Sequence, residues 1–412
     1  MSRIIVKFGG TSVQDAERIK KAAQSIIDQI KKGNEVVGVV SAMGDTTDNL
    51  INLLKESTKN NINEKDYADF VSIGERISAR LLANTIKSMG FLAQYFDPAD
   101  QDFPLITDDS FNNAKILTTE SMENCKKIIE PLLKKGIIPI VCGFLGKSIK
   151  DGSVTTLGRG GSDITAFALG NFLEADEVII VTDAVGVLSA DPRLVKNPIT
   201  LRQISVEEMG ILAEGGAKVL HPRALNYKTD KMKAKIIHFQ NGDLSAEGTE
   251  IVGAFKSKLI SFQEKLTMLT ILGTNIFNTP GLLKKIIEPI SQQQINLYGV
   301  SIGTKHIGIY VKDEDAQLSY DLIHPIVITE EKLKSITLKN EIGLIIARSR
   351  DFIETPGIIE QISRPLAQHH INIIEMITIK TDILVFLEWG EKEFAHQIIS
   401  KSLEEAGIMV TN

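Results

Sequence analysis

The sequence predicts an α/β protein in which a sandwich with a mainly parallel sheet is followed by two copies of a smaller βαββαβ unit. Apolar runs alternate with helical patterns over the first part of the chain, and glycine-rich or polar loops follow those runs. A later segment recurs 76 residues further on, from Thr279 to Thr355. Alternating strands and helices are typical of α/β folds, and an internal repeat indicates two copies of one structural unit.

Composition limits the class of protein. The chain has 412 residues, 43% of them hydrophobic and 24% charged, which predicts two or three globular domains. Its net charge of −6 argues against a broad nucleic-acid surface, so we expect no nucleic-acid partner. Cys125 and Cys142 are the only cysteines, which predicts no disulfide framework and a reducing, cytoplasmic location. No signal-peptide pattern or apolar run of membrane-spanning length occurs, so we expect no membrane association.

The first element is an apolar strand, residues 4–6, that leads into the stretch KFGGTS. Isoleucine and valine favour strands, and Lys7 stands where this strand ends. Gly9 and Gly10 permit positive φ and let backbone N–H groups approach a ligand closely. The segment Thr11–Asp15 carries N-cap residue types ahead of a helical pattern. A strand, a glycine turn and a helix N-terminus form an anion-binding arrangement, although an ordinary corner with a solvated lysine also fits these residues.

Three later apolar runs predict further strands of the same sheet. They are EVVGVVSAMG, GIIPIVCGFLG and DEVIIVTDAVG, and helical patterns such as ENCKKIIEPLLKKG lie between them. Each run ends in small or polar residues. Because ligands of open α/β sheets bind at the carboxyl ends of the strands, we expect these loops to share one polar site.

The loop TTLGRGGSDITAFALG carries the most informative pattern. Three glycines surround Arg159, whose planar guanidinium suits a carboxylate or a phosphate. Ser162 and Asp163 are expected to cap the helix that follows, and a cap alone would explain Asp163 but not the glycines. The stretch GFLGKS resembles a P-loop, but Val141 stands where the Walker spacing requires glycine. No stretch fits the dinucleotide-binding fingerprint.

The repeat predicts two ferredoxin-like units. TPGLLKKIIEPISQQQIN begins at Thr279 and TPGIIEQISRPLAQHHIN begins at Thr355, and each follows an apolar strand pattern. Each copy then continues through an amphipathic helix, further strands and a second helix, which is the βαββαβ order. The helices carry apolar faces, which are Leu282, Leu283, Ile286 and Ile290 in the first copy and Ile358, Ile359, Ile362 and Leu366 in the second.

Six segments together resemble the successive signatures of aspartate kinase, in the amino-acid kinase superfamily. They are KFGGTSV, VVSAMGDTTD, SIGERIS, TTLGRGGSD, TDAVGVLSADPR and GAKVLHPRA, in the order of that family. The resemblance implies an amino-acid kinase-type three-layer sandwich as the catalytic domain, residues 1–252. It implies that the repeats are tandem ACT domains, residues 262–330 and 338–412.

The resemblance also implies an activity, the transfer of a phosphoryl group from MgATP to the β-carboxylate of L-aspartate. The products are 4-phospho-L-aspartate and ADP, at the entry to lysine, threonine and methionine synthesis. Such a reaction depends on positioning and charge neutralisation rather than on a reactive side chain. The β-carboxylate, with a pKa of about 3.9, needs no general base. The lack of a Ser–His–Asp or Cys–His pattern is therefore expected.

The resemblance assigns roles to particular residues. Lys7 would bind the transferred phosphoryl group, Lys218 the nucleotide phosphates, and Asp163 would hold both lysines in place. Arg159 would bind the α-carboxylate of aspartate and Glu75 would face its α-amino group. The full expected set is Lys7 and Asp163 for catalysis; Ser41, Thr47, Glu75, Arg159 and Ser162 for L-aspartate; and Lys7, Gly9, Gly10, Thr11, Thr182, Asp183, Asp191, Arg193 and Lys218 for ATP. No side chain is assigned to Mg²⁺.

The sequence departs from the family pattern in two places. Val185 and Leu188 stand where the family commonly has an acid or proline and an aromatic residue, which concerns how the adenine is bound. The repeats lack the Ser/Asn-rich stretch of lysine- or threonine-sensing members. A homodimer or dimer of dimers with lysine or threonine bound at ACT interfaces is still expected, and a purely structural dimerisation module is the alternative.

Two other functions remain open from the sequence. Another amino-acid kinase, acting on glutamate or acetylglutamate, would share the glycine loops but should lack KFGGTS and the repeat. A catalytically weak amino-acid sensor of the same fold should lack Lys7, Arg159 or Asp163, and all three are present.

Overall fold

The computed structural model describes residues 1–59, 61–214, 219–350, 352 and 356–408. The chain divides into two compact units, Met1–Phe255 and Lys256–Asn412. Among the described residues, no helix combines the length and the apolar character needed to cross a membrane.

The first unit alternates strands and helices. Its strands are β1 (Arg3–Phe8), β2 (Glu35–Val40), β3 (Ala93–Phe96), β4 (Ile106–Thr107), β5 (Ile138–Cys142), β6 (Leu145–Ser148), β7 (Val154–Thr156), β8 (Glu177–Thr182), β9 (Gln203–Ser205), β10 (Lys233–His238) and β11 (Thr249–Val252). Its helices are α1 (Ala16–Lys31), α2 (Thr46–Thr58), α3 (Glu64–Val71), α4 (Ile73–Ser88), α5 (Thr118–Ile128), α6 (Glu130–Lys134), α7 (Gly161–Phe172) and α8 (Val206–Glu214).

The main sheet of this unit has the order β3-β5-β2-β1-β8-β10-β11-β9 among the described strands. All neighbours pair in parallel except β10 and β11, which are antiparallel. The central strands are mostly apolar because helices cover both faces of the sheet, and Lys7 of β1 is an exception. Phe8 borders a cavity lined by α1, whereas Lys7 contacts α7. Since successive strand residues point to opposite faces, α1 and α7 lie on opposite sides, as the predicted sandwich requires.

The second unit contains both repeats. Its strands are β12 (Lys258–Ser261), β13 (Leu266–Gly273), β14 (Gly299–Ile302), β15 (His306–Lys312), β16 (Leu333–Arg348), β17 (Ile373–Ile379) and β18 (Asp382–Glu388). Its helices are α9 (Leu282–Gln292), α10 (Ala316–Thr329), α11 (Ile358–Gln368) and α12 (Lys392–Glu405). The strand β16 serves both copies, because its first half pairs with β13 and its second half with β18.

The second copy includes a strand that its predicted range, residues 338–412, does not contain. Residues 258–261 of β12 pair antiparallel with residues 345–348 of β16. The first copy is therefore inserted between β12 and the remainder of the second copy. The predicted start of the second helical segment, Thr355, and the last four residues of the chain lie outside the described residues.

The apolar helix faces form the core of each copy. Ile286 and Ile290 are fully buried in one apolar cluster, and Ile362 and Leu366 are fully buried in another. Of the predicted faces, Ile359 is the most exposed, at 49%. Most of each predicted face therefore packs within its own copy.

A third apolar cluster joins the two copies. Tyr310 of β15 and Phe386 of β18 are buried and stack with their ring centroids 3.9 Å apart. The Tyr310 hydroxyl donates to Oε2 of Glu375 at 2.6 Å. The two aromatic rings occupy equivalent positions in the repeat, so the copies pack through matching parts of their sheets.

Candidate active site

Four aligned strands of the first unit end at one edge of the sheet. Phe8 of β1 is in register with Val40 of β2 and with Val181 of β8, and Val40 is in register with Cys142 of β5. The residues that follow these ends are Gly9, Ser41, Gly143 and, with β8 one residue longer, Asp183. The edge therefore collects the polar and glycine-rich loops that the sequence pattern predicts to share a site.

Lys7 and Asp163 form an ion pair at this edge. Lys7 Nζ lies 2.7 Å from Asp163 Oδ1, and the two side chains are 12% and 11% exposed. Lys7 projects from β1 toward α7, and Asp163 lies in the first turn of α7. Apart from this ion pair, Oδ1 has no hydrogen-bond partner among the described residues. The pair holds an ammonium group in place at the end of the central strand.

The glycine turn after Lys7 packs closely against the loop that follows β2. A Cβ atom added at Gly10 would lie 2.8 Å from the carbonyl oxygen of Ala42. The N–H of Gly44 donates to the carbonyl of Gly10 at 3.0 Å, and the N–H of Ser41 donates to the carbonyl of Phe8 at 3.1 Å. A side chain at position 10 would separate these two loops, so the turn requires glycine there.

Of the segment Thr11–Asp15, which was expected to supply the N-cap of the first helix, only Asp15 has that position. Residues 10–13, which include Thr11, form a 3-10 turn. Asp15 is the N-cap of α1, and its side chain accepts from the N–H of Arg18 at 2.9 Å. Two residues, Gln14 and Asp15, therefore separate this turn from the first residue of α1, Ala16.

The cap predicted for α7 is wrong. Gly160, with φ of 73°, is the N-cap, and Ser162 and Asp163 lie within the first turn, each 8% exposed. Gly158 also has a positive φ, of 74°. Two left-handed glycines turn the chain sharply into the helix, and this leaves Asp163 free to pair with Lys7 instead of capping. Arg159, between these glycines, is exposed.

Glu75 is a buried carboxyl group in the first turn of α4. Its residue is 4% exposed, and Oε2 has no hydrogen-bond partner among the described residues. Burial raises the pKa of Glu75 to about 7, and backbone hydrogen bonds at Ala42 and at Glu75 itself oppose that shift. A Cβ atom added at Gly74 would lie 2.7 Å from Cβ of Ala42, so α4 begins directly against the β2 loop. A buried acid with an unused oxygen suits a cationic group of a ligand.

Ser41 and Thr47 occupy the same region. Both are partly buried, and Thr47 lies in the first turn of α2, after the loop that Ser41 begins. Thr47 Oγ1 lies 3.4 Å from the position that a Cβ atom of Gly74 would take. The structure therefore brings the loop after β2, the start of α2 and the start of α4 together beside the glycine turn.

The segment after β8 carries the next group of expected nucleotide-binding residues. Thr182 ends β8, and its hydroxyl donates to Oδ1 of Asp183 at 3.1 Å. Arg193 donates from Nε and Nη2 to both carboxylate oxygens of Asp191, with an Nη2–Oδ2 distance of 2.7 Å. The Arg193 side chain is 72% exposed. Lys218, the second expected cation, lies outside the described residues.

The residues of this segment that depart from the family pattern lie at its surface. Val185 is 54% exposed, and Leu188 is partly buried and forms an isolated bridge with Thr200.

The sequence analysis assigned no role to Arg223, although it lies in the segment GAKVLHPRA, or to Asn113. Arg223 Nη1 donates to Oδ1 of Asn113 at 2.6 Å and to the carbonyl oxygen of Leu157 at 3.1 Å. These contacts support the entry to the glycine–arginine loop. The two residues are 110 positions apart in the chain, and nothing in their local patterns connects them.

The site fits a magnesium ion carried mainly by the nucleotide. Mg²⁺ in kinases is commonly bound by substrate phosphates, water and one or two carboxylates. The described residues contain no group of three or more His, Cys, Asp or Glu side chains that could hold a metal by themselves. Asp163, which pairs with Lys7, and Asp183 are carboxylates at the strand edge, and each could contribute one ligand to such an ion.

A model of the amino acid kinase family matches residues 2–238. The matched region contains the ion pair, the glycine loops and every strand of the main sheet except β11. The chain belongs to the amino acid kinase family.

Comparison with individual proteins shows to which group within this family the chain belongs. An aspartokinase of Bacillus sp. (strain MGA3) is 30% identical over 421 residues, covering 100% of this chain and 99% of that protein. An aspartokinase of Geobacillus stearothermophilus is 38% identical over 277 residues, 66% of either chain. The crystal structure of aspartate kinase from Synechocystis matches with a TM-score of 0.78 and 26% identity, covering 99% of this chain and 70% of that one. Within its family, the chain belongs to the aspartokinases, and the predicted family and fold class are confirmed.

Proposed function

We propose that this chain transfers the γ-phosphoryl group of ATP to the β-carboxylate of L-aspartate, giving 4-phospho-L-aspartate and ADP. The observation that carries the proposal is the Lys7–Asp163 ion pair at the end of β1, beside a glycine turn and a buried acid. In the reaction, a β-carboxylate oxygen attacks the γ-phosphorus, and the bond to the β–γ bridging oxygen breaks. The nucleophile is already ionised at neutral pH, so no residue has to remove a proton.

Lys7 and Asp163 supply the electrostatic part of catalysis. Lys7 neutralises charge on the transferred phosphoryl group, and this stabilises the transition state more than the ground state. Asp163 fixes the ammonium of Lys7 through the ion pair. Lys218, by family resemblance, binds the nucleotide phosphates. The ion pair also favours an enzyme over a catalytically weak sensor, because a sensor has no need to position that ammonium.

Two opposite charges select the amino-acid substrate. Glu75 accepts the α-ammonium of aspartate, and its buried, unused oxygen supports that role. Arg159, exposed on the glycine loop, binds the α-carboxylate in a bidentate manner. Ser41, Thr47 and Ser162 line the space between them. An ammonium and a carboxylate bound at separate points fix the direction of the β-carboxylate.

Nucleotide binding uses the neighbouring loops. The expected residues are Gly9, Gly10, Thr11, Thr182, Asp183, Asp191, Arg193 and Lys218. Backbone N–H groups at glycine turns and helix starts suit phosphates. Magnesium bound with ATP would neutralise phosphate charge. Asp163 and Asp183 are the carboxylates that would serve as its protein ligands.

The remainder of the chain would regulate this activity. Residues 1–252 form the catalytic domain, and residues 262–330 and 338–412 form two ACT domains, with β12 added to the second. Lysine or threonine binds between such domains in a homodimer or a dimer of dimers. A cytoplasmic location agrees with the two free, buried cysteines.

The test is a coupled ADP-release assay on the full chain with MgATP and aspartate, glutamate or acetylglutamate in parallel. Hydroxylamine trapping of the acyl phosphate identifies the product with aspartate. We expect turnover with aspartate that exceeds turnover with either other acid by at least about a hundredfold. Equal or greater turnover with glutamate or acetylglutamate would contradict the proposal, and so would ADP release without a trapped hydroxamate.

A further inference from the structure

Arg223 supports the glycine–arginine loop from its entry side. The loop consists of Gly158, Arg159 and Gly160, and Leu157 precedes it directly. Arg223 donates through Nη1 to the carbonyl oxygen of Leu157 and to Oδ1 of Asn113. A single guanidinium nitrogen therefore ties together the loop and a side chain from a distant part of the chain.

Because Gly158 and Gly160 have no side chains, neighbouring side chains lie directly against the loop backbone. A Cβ atom at Gly158 would lie 2.5 Å from Oδ1 of Asn113, and a Cβ atom at Gly160 would lie 2.1 Å from Cβ of His221. His221 stands two residues before Arg223, so one turn of chain contacts both ends of the loop. The loop backbone is consequently enclosed by Asn113, His221 and Arg223.

Arg159 gains its position from this backbone. Its side chain is exposed, as is Asn113, whereas His221 and Arg223 are partly buried and Leu157 is fully buried. Few neighbouring atoms pack against an exposed arginine side chain. The position of the Arg159 backbone therefore determines where its guanidinium can reach. With Arg159 bound to the α-carboxylate, as proposed above, the distance from that guanidinium to the Lys7–Asp163 pair would limit the length of substrate that fits between them.

We infer that Arg223 and Asn113 are positioning residues that hold the Arg159 loop at the height suited to aspartate and so discriminate against glutamate. The inference rests on the proposed function, in which Arg159 binds the α-carboxylate. Aspartate and glutamate differ by one methylene group. A rigid clamp misplaces the longer acid by more than about 1 Å, which can cost about a hundredfold in rate.

The test compares Arg223→Ala, Arg223→Lys and Asn113→Ala with the unmodified full chain, using aspartate, glutamate and ATP as varied substrates. For Arg223→Ala we expect KM for aspartate to rise about tenfold, and the preference for aspartate over glutamate in kcat/KM to fall about fivefold or more. KM for ATP should stay within about twofold. Arg223→Lys keeps one donor and should fall between Arg223→Ala and the unmodified chain.

The double variant provides a further check. Because Asn113 accepts from Arg223 and also lies against Gly158, its effect overlaps that of Arg223. The double alanine variant should therefore change the aspartate preference by less than the two single variants added together. Arg364→Ala is the matched control, since the Arg364 side chain is 69% exposed and pairs with Glu360 in the second unit. This variant should leave KM for aspartate, KM for ATP and the preference for aspartate over glutamate unchanged.

Hydrogen exchange separates failure of this inference from failure of the proposed function. In Arg223→Ala, the amides of residues 158–162 should exchange faster than in the unmodified chain, while those of α4 should not change. If the unmodified chain does not phosphorylate aspartate, the proposed function is wrong. Faster amide exchange of residues 158–162 in Arg223→Ala would still support the inference that Arg223 holds this loop in position. Unchanged loop exchange would overturn the inference. So would equal rises in KM for aspartate and ATP with an unaltered preference for aspartate over glutamate.

Discussion

An ammonium group held 2.7 Å from a carboxylate keeps its position before any ligand binds. For Lys7 this matters because the cost of ordering a long side chain, about 1.5–2 kcal/mol, is met during folding rather than during catalysis. The motif KFGGTS predicts a lysine at the end of a strand. The partner of that lysine comes from a residue more than 150 positions away, so the contact itself becomes visible only in the folded chain.

Replacing Lys7 should mainly affect the chemical step. We expect Lys7→Ala to lower kcat about a hundredfold or more, with a smaller effect on KM for aspartate, because the lost charge acts mostly on the transition state. Steady-state kinetics with ADP release measure both constants. Lys20→Ala, which removes a lysine with 59% exposure that pairs with Glu17, is the control. Activity of Lys7→Ala within a few-fold of the unmodified chain would mean that Lys7 is a structural lysine.

The raised pKa of Glu75 should make aspartate binding depend on pH. Burial raises the pKa of its carboxyl group from 4.5 to about 7. Below that pH the folded protein holds Glu75 protonated, and a neutral acid attracts the α-ammonium of aspartate weakly. KM for aspartate should therefore fall about tenfold per pH unit as pH rises toward the pKa, and level off above it.

The variant Glu75→Gln tests this assignment. Its KM for aspartate should be high and should no longer vary through this pH range, whereas Glu17→Gln, an exposed glutamate, should retain the slope. The folded state should become less stable over the pH range in which aspartate binding becomes tighter. Because the folded pKa exceeds the unfolded one, the free energy of unfolding falls as pH rises from 4.5 to about 7. A KM that varies equally in Glu75→Gln and in the unmodified chain would rule out Glu75 as the titrating group.

At the scale of elements, apolar runs predicted the central strands well. EVVGVV and EVIIVT are strands β2 and β8 as expected, because a strand covered on both faces is apolar throughout. The start of α7 was predicted less well. Ser162 and Asp163 have the residue types of a cap, but the left-handed conformation of Gly160 begins the helix earlier and assigns Asp163 to an ion pair. Residue type alone does not reveal such backbone geometry.

The loop before α7 should be intolerant of a side chain. In Gly160→Ala, the residue keeps a φ of 73° and its Cβ would meet His221 at 2.1 Å, so strain and a steric clash add together. Gly33→Ala is the matched control, because Gly33 has φ of 85° with nothing within 4 Å of the added Cβ. Strain alone costs about 1–2 kcal/mol.

We expect Gly160→Ala to lower Tm more than Gly33→Ala does, and to raise KM for aspartate, which Gly33→Ala should leave unchanged. Differential scanning calorimetry and steady-state kinetics measure the two effects. If both variants lose the same stability and bind aspartate normally, the contact between Gly160 and His221 does not constrain the substrate loop.

At the scale of the whole molecule, the 76-residue repeat predicted two related copies because it preserves proline, glycine and apolar positions together. It did not predict the insertion of one copy into the other. The strand β12 has only four residues and precedes both repeated segments, so no recurring pattern marks it as part of the second copy. Pairing with β16 gives the second copy its outer strand.

The tandem repeats predict inhibition by an amino acid. An effector acts only if it binds an inactive arrangement more tightly than the active one, typically with a coupling of about 1–3 kcal/mol. In the full chain we expect lysine to inhibit about five- to 150-fold at saturation, and more strongly than threonine. Isothermal titration calorimetry should detect its binding. A chain that ends at Gly253 lacks the second unit and should be insensitive to both amino acids.

The truncated chain must be active for this comparison to hold, and its compact first unit, Met1–Phe255, makes independent folding a reasonable expectation. Should it be inactive, titration of the full chain still decides the matter. Binding heat together with inhibition supports regulation by the second unit, because the catalytic site is built from residues of the first. If neither lysine nor threonine produces heat or inhibition in the full chain, the ACT pair serves assembly, since packed helix faces and a shared strand are what a purely structural module would also need.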